Sequence, residues 1–189
     1  FRGGLTNNGT FTVGSVAAAV QTFDTNAQTL TGTLSIPRIT VTAVTLTNNS
    51  ILTVSTALSG TGGLTQAAGS TLNIGAVSDI TTLTAINTGN TVNYNGAAGQ
   101  TVKAANYYNL TSSNVGARTI NAAIGVAGTF TPGTNLYTVT DSTVDFNGAG
   151  AQGIKGTATS QTFYNVAINK TAGTTLSVGG STDTLNVNN

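Results

Sequence analysis

The sequence contains no cysteine, histidine, methionine, tryptophan or glutamate, and only two prolines in 189 residues. Without cysteine or histidine there can be no disulfide, thiolate nucleophile, histidine-based triad or ordinary zinc site. Charged side chains make up 6% of the chain, against about a quarter in ordinary soluble domains. The formal net charge is +1, so there is no electrostatic footprint for nucleic acid or an anionic membrane, and neither is expected as a partner. No apolar run reaches the roughly 18 residues that span a bilayer, and no leader pattern of basic, apolar and small residues is present. Membrane insertion is therefore not expected.

The acids are five aspartates, Asp24, Asp79, Asp141, Asp145 and Asp183. Polysaccharide-active β-helices need acids clustered with each other or with Lys/Arg on one face, and here only Asp141 and Asp145 lie close in sequence. That pair falls short of the roughly six to eight oxygens a Ca²⁺ ion takes, and the glycine-rich nonapeptide calcium repeat is absent. Neither an enzyme nor a cofactor or metal site is expected.

What the chain does have is threonine, about one residue in five, with Val, Ile and Leu supplying the large apolar side chains. This is strand-forming vocabulary. Strong helix formers other than Ala are scarce, and no window shows a sustained 3.6-residue apolar period. A hydrophobic content of 39% leaves enough apolar surface to fold.

The chain is also internally repetitive. Phe146 to Val166, FNGAGAQGIKGTATSQTFYNV, has a copy at Tyr94 to Leu110, YNGAAGQTVKAANYYNL. Each opens on an aromatic followed by Asn-Gly, reaches Gln100 or Gln152 six residues on, then Val102-Lys103 or Ile154-Lys155. Each closes on an aromatic pair, Tyr107-Tyr108 or Phe163-Tyr164, followed by Asn. A weaker copy starts at Phe23 with Gln28 and Leu30. The segment Gly9-Thr-Phe-Thr-Val-Gly14 recurs as Gly128-Thr-Phe-Thr-Pro-Gly133, so the chain reads as entered in mid-repeat, a segment of a longer repetitive polypeptide or a processed one. We read a single repetitive β-domain over 1–189, with copies at about 11–75, 92–140 and 144–189.

Short alternating strands separated by Gly or Asn turns recur every 8 to 12 positions, as in a sandwich, barrel or solenoid. A repeat near 50 residues is too short for an immunoglobulin-type sandwich but accommodates two coils of a parallel β-helix with three short strands each. The expected fold is all-β, a parallel β-helix, with a β-sandwich fibre subunit as the alternative. Gly60-Thr-Gly-Gly63 reads as a turn, Asn48-Asn49 and Asn87 to Asn90 as further turns, and Leu136 to Thr140 as one of the strands.

The phrases FNGAGAQGIKGTATSQTFYNVAINKTAGTTLSVGG and GTGGLTQAAGSTLNIG resemble the repeats of very large bacterial surface proteins, the adhesin-like and filamentous-haemagglutinin-like proteins of Bacteroidetes and other Gram-negative groups. The resemblance implies secretion to the cell surface, an elongated β-rich shape and a role in attachment or in building extracellular fibres. It carries no catalytic residues. A homo-oligomer or filament is the expected assembly, with surface glycans as a further partner.

Candidate residues follow from these readings. Leu5, Phe11 and Val13 at one end, and Leu176, Val178, Leu185 and Val187 at the other, are candidate assembly segments: an uncapped coil exposes backbone groups and an apolar cross-section. Under the sandwich alternative the same segments would be donated strands. Asp141-Ser-Thr143 and Asp183-Thr-Leu185 resemble the O-glycosylation signal of Bacteroidetes secreted proteins, making Ser142 and Thr184 candidate glycan acceptors. Asn8, Asn48, Asn109 and Asn169 stand in N-x-[ST] triplets that this composition produces by chance. Lys103 and Lys155 read as strand-end charges blocking edge pairing, Gln100 and Gln152 as amides that ladder or bond a turn backbone. One aromatic of each pair should face the core by strand alternation, leaving the other to face solvent or stack on a sugar. Thr40-Val-Thr42 and Thr45-Leu-Thr47 suggest the flat faces of ice-binding solenoids, a minor reading because copies of unequal length would break a flat lattice.

Overall fold

The structure, a computed structural model, describes residues 2–9, 11–13, 19–134 and 137–188. Among these residues there are 25 strands and no helix, and every strand pairing is parallel. The chain winds as a three-sided β-solenoid of about 8 turns. The antiparallel pairing that a sandwich of hairpins requires is not found among the described strands.

One face runs the length of the molecule as a nine-stranded sheet. Its strands are Phe11–Thr12, Thr33–Ser35, Ile51–Val54, Thr71–Ile74, Thr91–Tyr94, Asn109–Ser112, Thr129–Gly133, Gln152–Gly156 and Leu176–Gly180. We call this the continuous face. A second face begins with Leu5–Thr6, Gln28–Thr31 and Thr45–Asn48 and, through the Ala85 to Tyr107 bridge, continues into Asn106–Tyr107, Ala123–Val126, Thr143–Phe146 and Asn165–Ile168. The third carries Gln21–Phe23, Arg38–Val41, Gln100–Thr101, Arg118–Ile120, Tyr137–Val139, Ser160–Phe163 and Thr184–Val187. A coil spans from 18 residues, Thr33 to Ile51, to 24, Ile154 to Val178.

Strand alternation builds the core. Thr71–Ile74 buries Leu72 and Ile74 and turns Thr71 and Asn73 outward, and the same alternation holds in Ile51–Val54 and Thr91–Tyr94. Because the register is kept from coil to coil, Leu34, Leu52, Leu72, Val92, Leu110, Phe130 and Ile154 stack in one column, each at most 1% exposed. Each such side chain contributes about 1.5–3 kcal/mol on burial. Toward the C-terminal end the column turns aromatic: Phe130, Phe146 and Phe163, one from each face, meet with ring centroids 6.0 to 6.4 Å apart. Longer coils accompany these larger side chains.

Three local expectations are revised. Gly60-Thr-Gly-Gly63 is not a turn between strands; it lies inside the ten-residue strand Ala57–Gln66, which bends around a corner without breaking. Its first half pairs with Arg38–Val41 on the third face and its second half with Thr45–Asn48 on the second. Glycine is needed there for proximity: Gly60 has φ +116°, and a β-carbon on it would sit 2.1 Å from the Val41 carbonyl oxygen. A 52-residue repeat is not two coils either, since coils of 18 to 24 residues put it between two and three. Tyr107 to Thr111, read as one strand, is two, Asn106–Tyr107 and Asn109–Ser112, on different faces with a corner at Tyr108. Of the strand expected at Leu136 to Thr140, Leu136 lies outside the described residues and Tyr137–Val139 forms as a strand.

Candidate functional site

The repeated motif proves to be a corner. Tyr94 ends a strand of the continuous face, and its chain turns toward the third; Phe146 ends a strand of the second face, and its chain turns toward the continuous one. In the weak copy, Phe23 ends a strand of the third face and leads to the second. Each copy thus occupies a different corner of the prism, which is why no single coil period appeared in the sequence.

The conserved chemistry of the motif lies in its glutamine. Gln100 Oε1 accepts the Gly96 N–H at 2.7 Å in its own corner, while Nε2 donates to the carbonyls of Ile74 and Ala76 in the coil beneath, at 2.8 and 2.9 Å. Gln152 does the same with Gly148 N–H and the carbonyls of Val126 and Gly128. Gln28 in the weak copy accepts the Gly4 N–H of the coil beneath at 3.2 Å. A turn inside a stack cannot be hydrated on its inner side, so its backbone groups need side-chain partners. The glutamines supply them.

Sequence reading missed the second half of this device. Arg118, fully buried, donates to the carbonyls of Tyr94, Gly96 and Ala98 in the coil below and to Ser113, Gly116 and Ala117 in its own. Lys170 donates to Gly148 and Gly150 carbonyls and to Gln152 Oε1, at 3.0, 2.7 and 2.8 Å. Both cations stand 24 residues after the opening aromatic of their copy, Tyr94 or Phe146. That shared spacing was visible in the sequence, but the intervening segments differ by an insertion that hid it.

A closed ring holds the corner after Gln100. The Lys103 N–H donates to Tyr94 Oη at 2.9 Å, and Tyr107 donates its hydroxyl to the Lys103 carbonyl at 2.6 Å, which leaves the Tyr94 hydroxyl to donate to Tyr107 Oη at 3.1 Å. Desolvation raises the pKa of both phenols, Tyr107 well above the usual tyrosine range with the neighbouring Tyr94 adding to it. Tyr107 and Phe163 face the core and Tyr108 and Tyr164 are half-exposed, as strand alternation requires. Lys155 is exposed at the end of Gln152–Gly156.

At the C-terminal end the last coil is open. Ile168, Val178 and Val187, one on each face, pair in register with Phe146, Ile154 and Phe163 of the coil before. The earlier three are at most 2% exposed; the last three are 60%, 38% and 53% exposed. Leu176 and Leu185 are half-buried on the same coil. At the other end Leu5, Phe11 and Val13 pack against the core, Leu5 paired with Leu30 and Phe11 with Leu34. Both candidate segments are therefore terminal coils paired with their own chain in this structure.

The remaining candidates are placed as follows. Ser142 is fully buried with its hydroxyl unpartnered, while Thr184 is exposed and donates to Asp183 Oδ1 at 2.9 Å. Asp141 is exposed at φ +53°, and Asp145 accepts from the Asn147 and Asn169 amides. Among the described residues no three acids, histidines or cysteines cluster. Asn48 is buried and bonds Gln66 Oε1 and the Thr71 carbonyl, a corner role like that of the glutamines. A groove of about 390 Å³ opens on the third face between Val77–Thr84 and Gln100–Thr101, lined in part by Asp79, Thr101 and Lys103.

The fold and these corners define the class: a three-sided parallel β-solenoid whose turns are satisfied by buried amides and cations. Compared with protein-family models, curated proteins and solved structures, the chain matches none.

Proposed function

We propose that this chain is a structural or adhesive module of an extracellular bacterial surface fibre, lengthened by the addition of further β-helical coils at its open end. The observation that carries this is the exposure of Ile168, Val178 and Val187 at positions that are sealed one coil earlier. Three apolar side chains pointing along the axis, beside strand edges with free backbone groups, are a template for another coil. A formal net charge of +1 offers little long-range repulsion against such stacking. The resemblance of the repeat phrases to large surface proteins supports the setting outside the cell.

The test is assembly. Sedimentation and electron microscopy of the concentrated chain should show end-to-end oligomers or fibres. Ile168→Glu with Val187→Glu should return it to monomer while leaving its circular dichroism unchanged. A wild-type chain that stays monomeric at high concentration, or oligomers indifferent to the double substitution, would overturn the reading.

A further inference from the structure

The outward side of the continuous face is regular in a way the core does not require. From Thr33–Ser35 to Thr129–Gly133 the six strands stay in unbroken register. Their outward positions form two columns. One is Thr33, Ile51, Thr71, Thr91, Asn109 and Thr129; the other is Ser35, Thr53, Asn73, Asn93, Thr111 and Thr131. None of the twelve is charged or aromatic, and all are exposed or half-exposed. The unequal copy lengths do not disturb the array, because extra residues are absorbed at corners; the register first slips at the next step, between Phe130 and Gly133.

Spacing follows from sheet geometry: about 4.8 Å between neighbouring rows and about 6.7 Å between columns, over roughly 24 Å of axis. The side chains are also held. Asn73 donates to Thr53 Oγ1 at 3.2 Å, Asn93 to Asn73 Oδ1 at 3.0 Å, and Asn109 Oδ1 accepts the Thr129 N–H at 2.9 Å. Threonine is stiff at χ1 by β-branching, and the backbone beneath rests on the buried Leu34 to Phe130 column.

We infer that this face binds a crystalline water lattice, that is, ice. Liquid water hydrogen-bonds to any polar surface, so preference for the solid requires hydroxyls and methyls already fixed at repeating distances, with the ordering cost met on folding. An uncharged array matches an uncharged lattice, whereas charged side chains would hold mobile hydration shells against it. A polysaccharide surface would instead call for aromatic platforms, and the columns have none. This inference is independent of the fibre reading, since it uses the side of the prism and not its end.

The experiment is incorporation of the fluorescently labelled chain into slowly growing polycrystalline ice, with serum albumin as the excluded control, together with shaping of single ice crystals. The wild type should enter ice and facet the crystals. Thr71→Lys with Thr91→Lys should cut incorporation by about tenfold or more, while Thr101→Lys on the third face should leave it unchanged. If the first double variant does not fold by circular dichroism, Thr53→Lys with Thr111→Lys is read in its place. Exclusion of the wild type from ice overturns the inference. So does incorporation that the face variants do not reduce, or binding to insoluble polysaccharide that they abolish in the absence of any ice binding.

Discussion

Arg118 illustrates how much one side chain can decide in a stacked fold. It satisfies carbonyls from two successive coils with no acid nearby, so its charge is met entirely by backbone dipoles. Arg118→Ala leaves several buried carbonyls without a donor and should cost about 3 kcal/mol, lowering the thermal midpoint by roughly 6–12 °C. Lys170→Ala, at a half-buried position, should cost about 1 kcal/mol. Scanning calorimetry of the two variants checks the order. The tyrosines give a pH dependence. Tyr137 is pushed up to about 12, desolvation being the largest cause, and Tyr94 and Tyr107 are also raised. The fold thus favours their neutral forms. Stability from this source is full below the unfolded value near pH 10 and is lost as pH rises through the folded values. Midpoints measured from about pH 9 to about pH 12 should fall, and Tyr137→Phe should flatten that fall.

At the level of the element, the corner and not the strand is the specific unit. Strands of two to five residues with alternating apolar positions are interchangeable in kind; corners differ, and each carries its own solution for its backbone groups. Gln100→Ala and Gln152→Ala should each destabilise by about 1–3 kcal/mol, and their effects should add, because they sit at different corners several coils apart. Urea titration of the single and double variants measures this. Gly60→Ala should be worse than either, since its β-carbon would collide with the Val41 backbone in a conformation that disfavours a side chain. A Gly60→Ala chain as stable as wild type would contradict the bent strand. The corner roles of Gln100 and Gln152 were half-legible: their recurrence marked them as structural, and the bond to the turn backbone was one of two options. The Arg118 and Lys170 roles were not legible, because they act across coils and the insertion between them hides the equivalence.

For the whole molecule, composition alone decided the class. A chain with scarce charge, few strong helix formers, abundant threonine and alternating aliphatics has to make many short strands, and stacking them in parallel buries one side chain in two whichever coil length is used. Those statements need only local periodicity, so they survive every irregularity of spacing. The number of residues per coil, the assignment of each strand to a face, and the continuity of the bent strand through Gly60 were decided by tertiary structure. A strand of given alternation fits any of the three faces equally well. Only closure of each coil, with its corner groups satisfied and its core column filled, selects one placement. The same holds for the two surface features of greatest consequence. The alternation said that Ile168, Val178 and Val187 face inward, and stacking decided that nothing in this chain lies over them. The sequence said that threonines face outward, and the coil-to-coil register decided that twelve outward side chains, most of them Thr or Asn, stand in two straight columns, because insertions are taken up at corners where they displace no strand.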